Sequence, residues 1–549
     1  MKFSKIFILI LFSVSQVFAQ DISITEVRVV EGFKPTITEA SRLNGKASFA
    51  DTIKKKRAQK YDVLEIDLNS NYKTRPLNPA KVKADKISKL YSTKVLVGFG
   101  NAWSTEANVV HNSTRSKNLS YGLLMNHFAN KYDLYKNSKN IMHLYGKKIN
   151  NSHIFLVNLD YERRTALFFP ENPVFPDEEN YRNRFSYTKL SLSSVSKELA
   201  ADKLKHYTTF FVSDFNEFSE NQIHLSTDLS KTINGLPFSL QIELDDYLNY
   251  NNPDSKFENT NVQSFHFSPS ASYSKYGLDF DFGLEFHYLS DGKSFDVFPQ
   301  IKVAKELVSG ILLVHGGFRH IEQRHTLKSL SDENPYIHSY GFNQPILSEN
   351  SILQILKMTD TEELYIAMRN VLSIGEVLEG SIAYGTVQNF NHFVNYDNSS
   401  YNRFLVDYIF VKQLQANLNY TRKINEIIDL KANARYCNWD TEVYHNPNFT
   451  FDISAPINLR NKIKVAPLLS YISKRKTSSS FDSDSGLLVS KINQSLASQF
   501  HVNLAIDYNY TKNISAFLHL NNLTNSKKNM WNGYLEVGFN GIFGINYSF

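Results

Sequence analysis

The chain carries a single cysteine, Cys437, so no disulfide framework holds it together. Glycine and proline are sparse, at 22 and 15 of 549 residues, which excludes a collagen-like or low-complexity chain. Beyond the N-terminus no run of about 18 apolar residues occurs, which excludes a bundle of membrane-spanning helices. No glycine-rich phosphate loop and no nucleophile elbow is present, and no Cys/His pair has metal-ligand spacing. His315, His320 and His325 lie close together in sequence, but a histidine set on a strand and its loop reads as lining. The expectation is therefore a protein that is not an enzyme, with no catalytic residue, no metal ligand and no cofactor. Cys437, beside Asn438 and Trp439, is expected to be inert.

What the chain has in excess is rings: 40 Phe and 31 Tyr, with aromatics at 13% of all residues. At its start Lys2 and Lys5 precede an apolar stretch from Ile6 to Val14 and the small-residue site Val17-Phe18-Ala19. That is the pattern of a secretory signal peptide cleaved near Ala19, since the apolar run is too short to span a bilayer well. Residues 1–19 are thus assigned as signal peptide, and no cysteine follows to carry a lipid anchor. The net charge of +6 is unevenly spread. Residues 20–92 hold 15 Lys/Arg against 9 Asp/Glu, including Lys54-Lys55-Lys56-Arg57, while residues 93–549 total −2. A short basic segment in an exported protein, with no recognition motif, points to no nucleic-acid partner.

From residue 93 onward the pattern has period two. Leu278, Phe280, Phe282, Leu284, Phe286 and Tyr288 alternate with Asp279, Asp281, Gly283, Glu285 and His287. Phe238, Leu240, Ile242 and Leu244 alternate with Ser239, Gln241, Glu243 and Asp245, and the same holds for 413–420 and 500–510. Successive strand side chains point to opposite faces, so each segment has one apolar and one polar side. A two-sheet sandwich alternates too. The segments here run to about ten residues or more, as a tilted crossing of a bilayer requires. Many contain or end in Tyr or Phe, as interface girdles do. The pattern persists to the C-terminus with no helical domain. The predicted fold is all-β, a transmembrane antiparallel barrel over 93–549 with about 22 strands, 20 being the neighbouring count. Glu243, Asp245, Asp279, Asp281 and Glu285 are the candidates for a water-filled lumen. Pro170–Asn183, Leu192–Asp202, Gln323–Thr359 and Ser473–Asn493 read as long loops, the third with a short helix over Ser348–Lys357 and the role of a lid or inner loop.

On the last strand Phe543, Ile545, Tyr547 and Phe549 alternate with Gly544, Asn546 and Ser548, and a terminal aromatic there reads as the signal for outer-membrane assembly machinery. Just upstream, Asn521, Asn522, Leu523 and Asn525, followed by Trp531-Asn-Gly-Tyr534 and a glycine-bearing final hairpin, resemble the C-terminus of TonB-dependent receptors. Thr524 stands where that motif usually has an aromatic. The resemblance implies a receptor-type barrel in the outer membrane of a Gram-negative bacterium, with membrane lipids around it and solute or nutrient passage as its role. It departs at the other end: residues 20–92 hold only Gly32 and Gly45 and match none of the elements of the family's N-terminal plug. That segment either enters or caps the lumen, drawn by its acidic residues, or is a periplasmic linker. The alternative function is a non-transporting assembly subunit that docks a periplasmic or surface protein.

Overall fold

The computed structural model describes residues 90–132, 135–168, 178–197, 200, 202–216, 220–249, 261–290, 294–337, 357–395, 404–477 and 494–549. The expected signal peptide and residues 20–89 lie outside the described residues. The alternating segments all become strands. The first are β1 (Thr93–Gly100), β2 (Thr105–Asn112), β3 (Leu119–Tyr132), β4 (Tyr135–Ile149), β5 (His153–Phe168) and β6 (Arg182–Ser196). There follow β7 (Lys205–Phe215), β8 (Glu220–Ile233), β9 (Leu236–Asn249), β10 (Val262–Lys275), β11 (Leu278–Leu289) and β12 (Ser294–Val308). Next come β13 (Leu312–Arg324), β14 (Met358–Ser373), β15 (Glu376–Asn395), β16 (Phe404–Lys423) and β17 (Asp429–Trp439). β18 runs as two pieces, Phe449–Ser454 and Ile457–Leu459, broken at Ala455-Pro456 and both paired with β19 (Ile463–Ile472). The last are β20 (Gln499–Asn509), β21 (Ile514–Asn521) and β22 (Asn540–Ser548).

Each strand pairs antiparallel with the next, and β22 pairs with β1, so the 22-strand sheet closes on itself. Closure removes the unpaired edges that hydrocarbon forbids. Two-residue turns set the register where they occur. Asn234-Gly235 (φ 51° and 84°) and Tyr276-Gly277 (φ 54° and 71°) both take the left-handed pair of angles that matches strand twist. These short turns gather at one rim, while the strand ends joined by the longest connections, such as Phe168 and Arg182, Asn249 and Val262, and Arg324 and Met358, gather at the other. In outer-membrane barrels the long loops face outside.

The outward face is apolar. Leu364, Ile366, Ile382 and Leu418 are all exposed at mid-strand, and Tyr121, Tyr276, Tyr508 and Tyr510 ring the short-turn rim. Phe99, Trp103, Phe295 and Phe410 occupy the opposite rim. An exposed apolar belt of this extent is not tolerated in water and defines a membrane-facing surface. Among the described residues no helix is long and apolar enough to cross a membrane.

One expectation needs correction. Leu192–Asp202 is not a long outer loop: β6 continues to Ser196, and 197–204 connects at the short-turn rim. Its serines mislead because Ser191 and Ser193 lie buried on the inner face, while Leu190 and Leu192 face outward with the usual alternation. The long loop carries a helix, α1 (Leu327–Glu333), and the stretch 348–356 of the helix expected further along lies outside the described residues.

The closing seam depends on one ring. Gly98 and Gly544 pair across β1 and β22, and Phe517 of β21 pairs with Gly544 and is buried over both glycines. A Cβ at Gly544 would collide with the Val97 carbonyl oxygen and the Phe517 ring. Phe517→Ala empties this site and is expected to destabilise the barrel by about 3–5 kcal/mol, read from denaturant unfolding in lipid vesicles. An unchanged midpoint would show that the ring contributes nothing to closure.

Candidate functional site

Described loop residues pack together across the barrel mouth. Thr326 caps α1: its side chain accepts from Ser329 N at 3.0 Å, and the Ser329 hydroxyl accepts from Thr326 N at 2.9 Å. This reciprocal pair supplies partners for two donors that a helix start leaves open. Leu327 N donates to Glu220 Oε2 at 3.2 Å, which ties the helix to β8. Leu327, Leu330, Tyr336 and Ile337 then pack with Tyr135, Ala166, Phe185 and Phe215 from β4–β7 on one side and Phe393 and Phe404 from β15–β16 on the other. Asn183 Nδ2 donates to the Pro335 and Ile337 carbonyl oxygens at 2.8 and 2.9 Å. An apolar core thus spans the mouth from wall to wall.

Other loops join this cap. Residues 522–539 carry a short ribbon, Asn529–Trp531 with Tyr534–Leu535, and Tyr534 stacks on Tyr336 at 3.7 Å. The family-like motif organises this loop. Asn522 and Asn525 both adopt positive φ (50°). Asn522 Nδ2 donates to the Ser526 and Val537 carbonyl oxygens, and Asn525 Oδ1 accepts from Phe539 N. Asn521 ends β21, and Leu523 is exposed. A second ribbon, Arg475–Thr477 with Gln494–Leu496, reaches the first through Arg475 and the Asn529 carbonyl.

Two cap histidines are held neutral. Burial lowers the pKa of His325 to about 4, and the neighbouring Arg324 adds to the effect. Burial likewise lowers His445 to about 4, against its hydrogen bond to the Phe393 carbonyl and with the Arg475 and His392 charges helping. Above the ordinary value near 6.5 both are neutral whether the cap is closed or open, so they take nothing from closure. As pH falls from 6.5 towards 4, an open cap takes up protons that the closed one refuses, and closure weakens through that window. Glu333 on α1 works in the opposite sense, because burial raises its pKa and favours the protonated, closed form. Hydrogen exchange over 440–448, the segment that carries His445, corrected for intrinsic rate, is expected to be faster at about pH 5 than at about pH 7.5. Equal protection at both would contradict this.

Beneath α1 lies a chamber of about 560 Å³, with Thr326, Lys328, Ser329 and Asp332 as its roof. Its wall is the inner face of β5–β9, where Ser191, Ser193, Thr209, Ser213, Gln222 and Ser226 supply hydroxyls and an amide. Tyr187, Phe211 and Tyr247 add rings, with Lys189 over Phe211 at 4.0 Å and Arg324 over Tyr247 at 5.2 Å. Such a surface offers hydrogen bonds and ring faces with both signs of charge.

The five acidic candidates all share the polar parity of β9 and β11 and fall into two groups. Asp279 and Asp281 sit toward the short-turn rim, where Asp279 accepts from Ser274 at 2.5 Å and Asp281 from Ser272 at 2.6 Å and Lys302 at 3.2 Å. Glu243, Asp245 and Glu285 are buried higher on the wall. Asp245 accepts from Gln222 at 2.8 Å at the edge of the chamber. Glu243 and Glu285 flank a histidine pair that the sequence reading did not single out: His266 and His287 face each other across β10 and β11, ring centroids 4.4 Å apart. His315 and His325 stand apart from it, and His320 alone of the expected histidine set joins it through Glu285. Phe543, Ile545, Tyr547 and Phe549 are exposed on the outer face of β22 and beyond its end.

No protein-family model matches the chain, and no curated protein matches it in sequence. Solved structures do match its shape. The FrpB iron transporter of Neisseria meningitidis (F5-1 variant) superposes with a TM-score of 0.61 at 11% identity, over 84% of this chain and 83% of that one. The ferric enterobactin receptor PfeA of Pseudomonas aeruginosa gives 0.61 at 10%, over 84% and 82%. The ferric-catecholate import receptor Fiu of E. coli K12 gives 0.58 at 11%, over 84% and 82%. At these identities the likeness is one of fold, and the chain is a closed 22-strand outer-membrane-type barrel built like the barrels of TonB-dependent receptors.

Proposed function

We propose that this barrel passes a polar organic solute across the outer membrane of a Gram-negative bacterium, with the loop cap as its gate and the chamber under α1 as its binding site. The carrying observation is the combination of an apolar core that spans the mouth with a polar chamber beside it under α1. A scaffold has no need of a roofed, hydroxyl-lined space. A gated carrier needs both parts, since solute must be desolvated and held while the cap moves. FrpB, an iron transporter, and Fiu, a ferric-catecholate import receptor, have roles that accord with this reading. Residues 20–92 are proposed as a separate basic segment that enters or caps the lumen, after removal of residues 1–19.

A solute that fills the chamber is expected to slow hydrogen exchange at the α1 amides, and Ser193→Phe, which fills the same space, is expected to abolish that response. A panel of small sugars, amino acids and short peptides, tried on the full-length protein in detergent, supplies the probes. If none alters exchange while the protein captures a defined periplasmic or surface partner, the docking-subunit reading replaces this one.

A further inference from the structure

We propose that the inner wall holds a divalent transition-metal site formed by His266 Nε2, His287 Nε2 and the Glu285 carboxylate. This goes beyond solute passage and does not depend on it. One donor atom from each residue lies within 4.8 Å of the others. Zinc-like ions bind imidazole nitrogen and carboxylate oxygen at about 2.0–2.2 Å, so modest side-chain rotation closes the set around one ion. Backbone register brings the donors together. His266 and His287 are a directly opposed cross-strand pair, and Glu285 precedes His287 by two residues on the same face.

Carboxylate contacts divide the histidine nitrogens into two kinds. His287 Nδ1 is held by Glu322, and His266 Nδ1 faces Glu243 Oε2 at 3.6 Å. Both Nε2 atoms are buried, and neither has a hydrogen-bond partner among the described residues. His287 Nε2 stands 3.5 Å from Glu285 Oε2, with its side chain 5% exposed. One nitrogen oriented by a carboxylate and the other left bare is the arrangement that metal-ligating histidines adopt. Glu285 is positioned as well: Gln300 donates to Oε1, and His320 Nδ1 lies 3.0 Å from Oε2 with its ring stacked on Phe298 at 3.6 Å. Glu243, Glu285 and Glu322 place negative charge around the two imidazoles, which a divalent cation offsets. Two imidazoles and one carboxylate suit zinc, iron(II), cobalt or nickel better than magnesium or calcium, which take oxygen alone. Three protein donors leave a position open to water or to a donor atom of a passing molecule.

The test uses untagged, full-length protein refolded in detergent and stripped of metal with a chelator. It is titrated with Zn²⁺ by calorimetry and with Co²⁺ by visible absorption. One equivalent is expected to bind, with a Co²⁺ spectrum of nitrogen and oxygen ligation. The His266→Gln/His287→Gln double variant is expected to lose that equivalent. Glu322→Gln, which removes no ligand, is expected to weaken binding about 10–100-fold. Unchanged stoichiometric binding in the double variant, or no binding by the unsubstituted protein at Zn²⁺ in excess over protein, would overturn the site. Should the double variant not give the compact, heat-modifiable band of a folded barrel, Glu322→Gln decides: unchanged affinity overturns the proposal, and weakened affinity supports it.

Discussion

Ile366→Arg is expected to destabilise the barrel by about 2–4 kcal/mol, whereas Ala367→Glu, one residue further along β14, is expected to change stability by less than about 1 kcal/mol. The two positions share one depth and differ only in face. Ile366 is exposed on the outer wall opposite Ile382, inside the apolar belt. Ala367 pairs with His315 on the inner wall, in reach of water and of the lumen charges. A guanidinium placed in hydrocarbon loses its hydration and finds no partner, and the cost is greatest at the bilayer midplane. Equilibrium unfolding in lipid vesicles measures both. Equal effects would mean that the outer face of β14 is not in contact with lipid.

Leu330→Ala is expected to weaken docking of the cap by about 2–5 kcal/mol. Leu330 is fully buried and is the point where α1 meets the apolar core that reaches from β4–β7 to β15–β16. The neighbouring polar ties, Leu327 to Glu220 and Asn183 to the Pro335 and Ile337 carbonyls, orient the segment. Hydrogen bonds of this kind contribute only about 0.5–1.5 kcal/mol each against water, so the apolar contact dominates. Protease cleavage within 325–337 should become fast in the variant while the barrel itself stays folded. Cleavage at the rate of the unsubstituted protein would show that α1 is held by something else.

The barrel was legible because its signal is local and repeated. Leu278 to Tyr288 alternates over eleven residues, and the structure places that stretch in β11 with Phe282 and Leu284 on the lipid side and Glu285 and His287 buried within. The acidic candidates follow from the same parity. The His266–His287 pair was within reach by counting: the turn at Tyr276-Gly277 sets Lys275 opposite Leu278, and nine residues back on each arm sets His266 opposite His287. Its Glu322 and His320 neighbours were not, because they arrive from β13 through a separate strand pairing. The cap was least legible. Leu327, Leu330 and Ile337 find Phe404 and Tyr534 far along the chain, and nothing in a short helix of mixed polarity marks that destination. The serines of β6 misled for a related reason, since small polar residues that face a chamber look the same in sequence as those of a loop.

Gating by the cap is tested by planar-bilayer conductance of the purified full-length protein beside Leu330→Asp and a deletion of residues 21–90. The full-length protein is expected to be silent and the Leu330→Asp variant to open large, steady conductance, increased further when 21–90 are also removed. Large conductance in the unsubstituted protein, or silence in all of them, would contradict it.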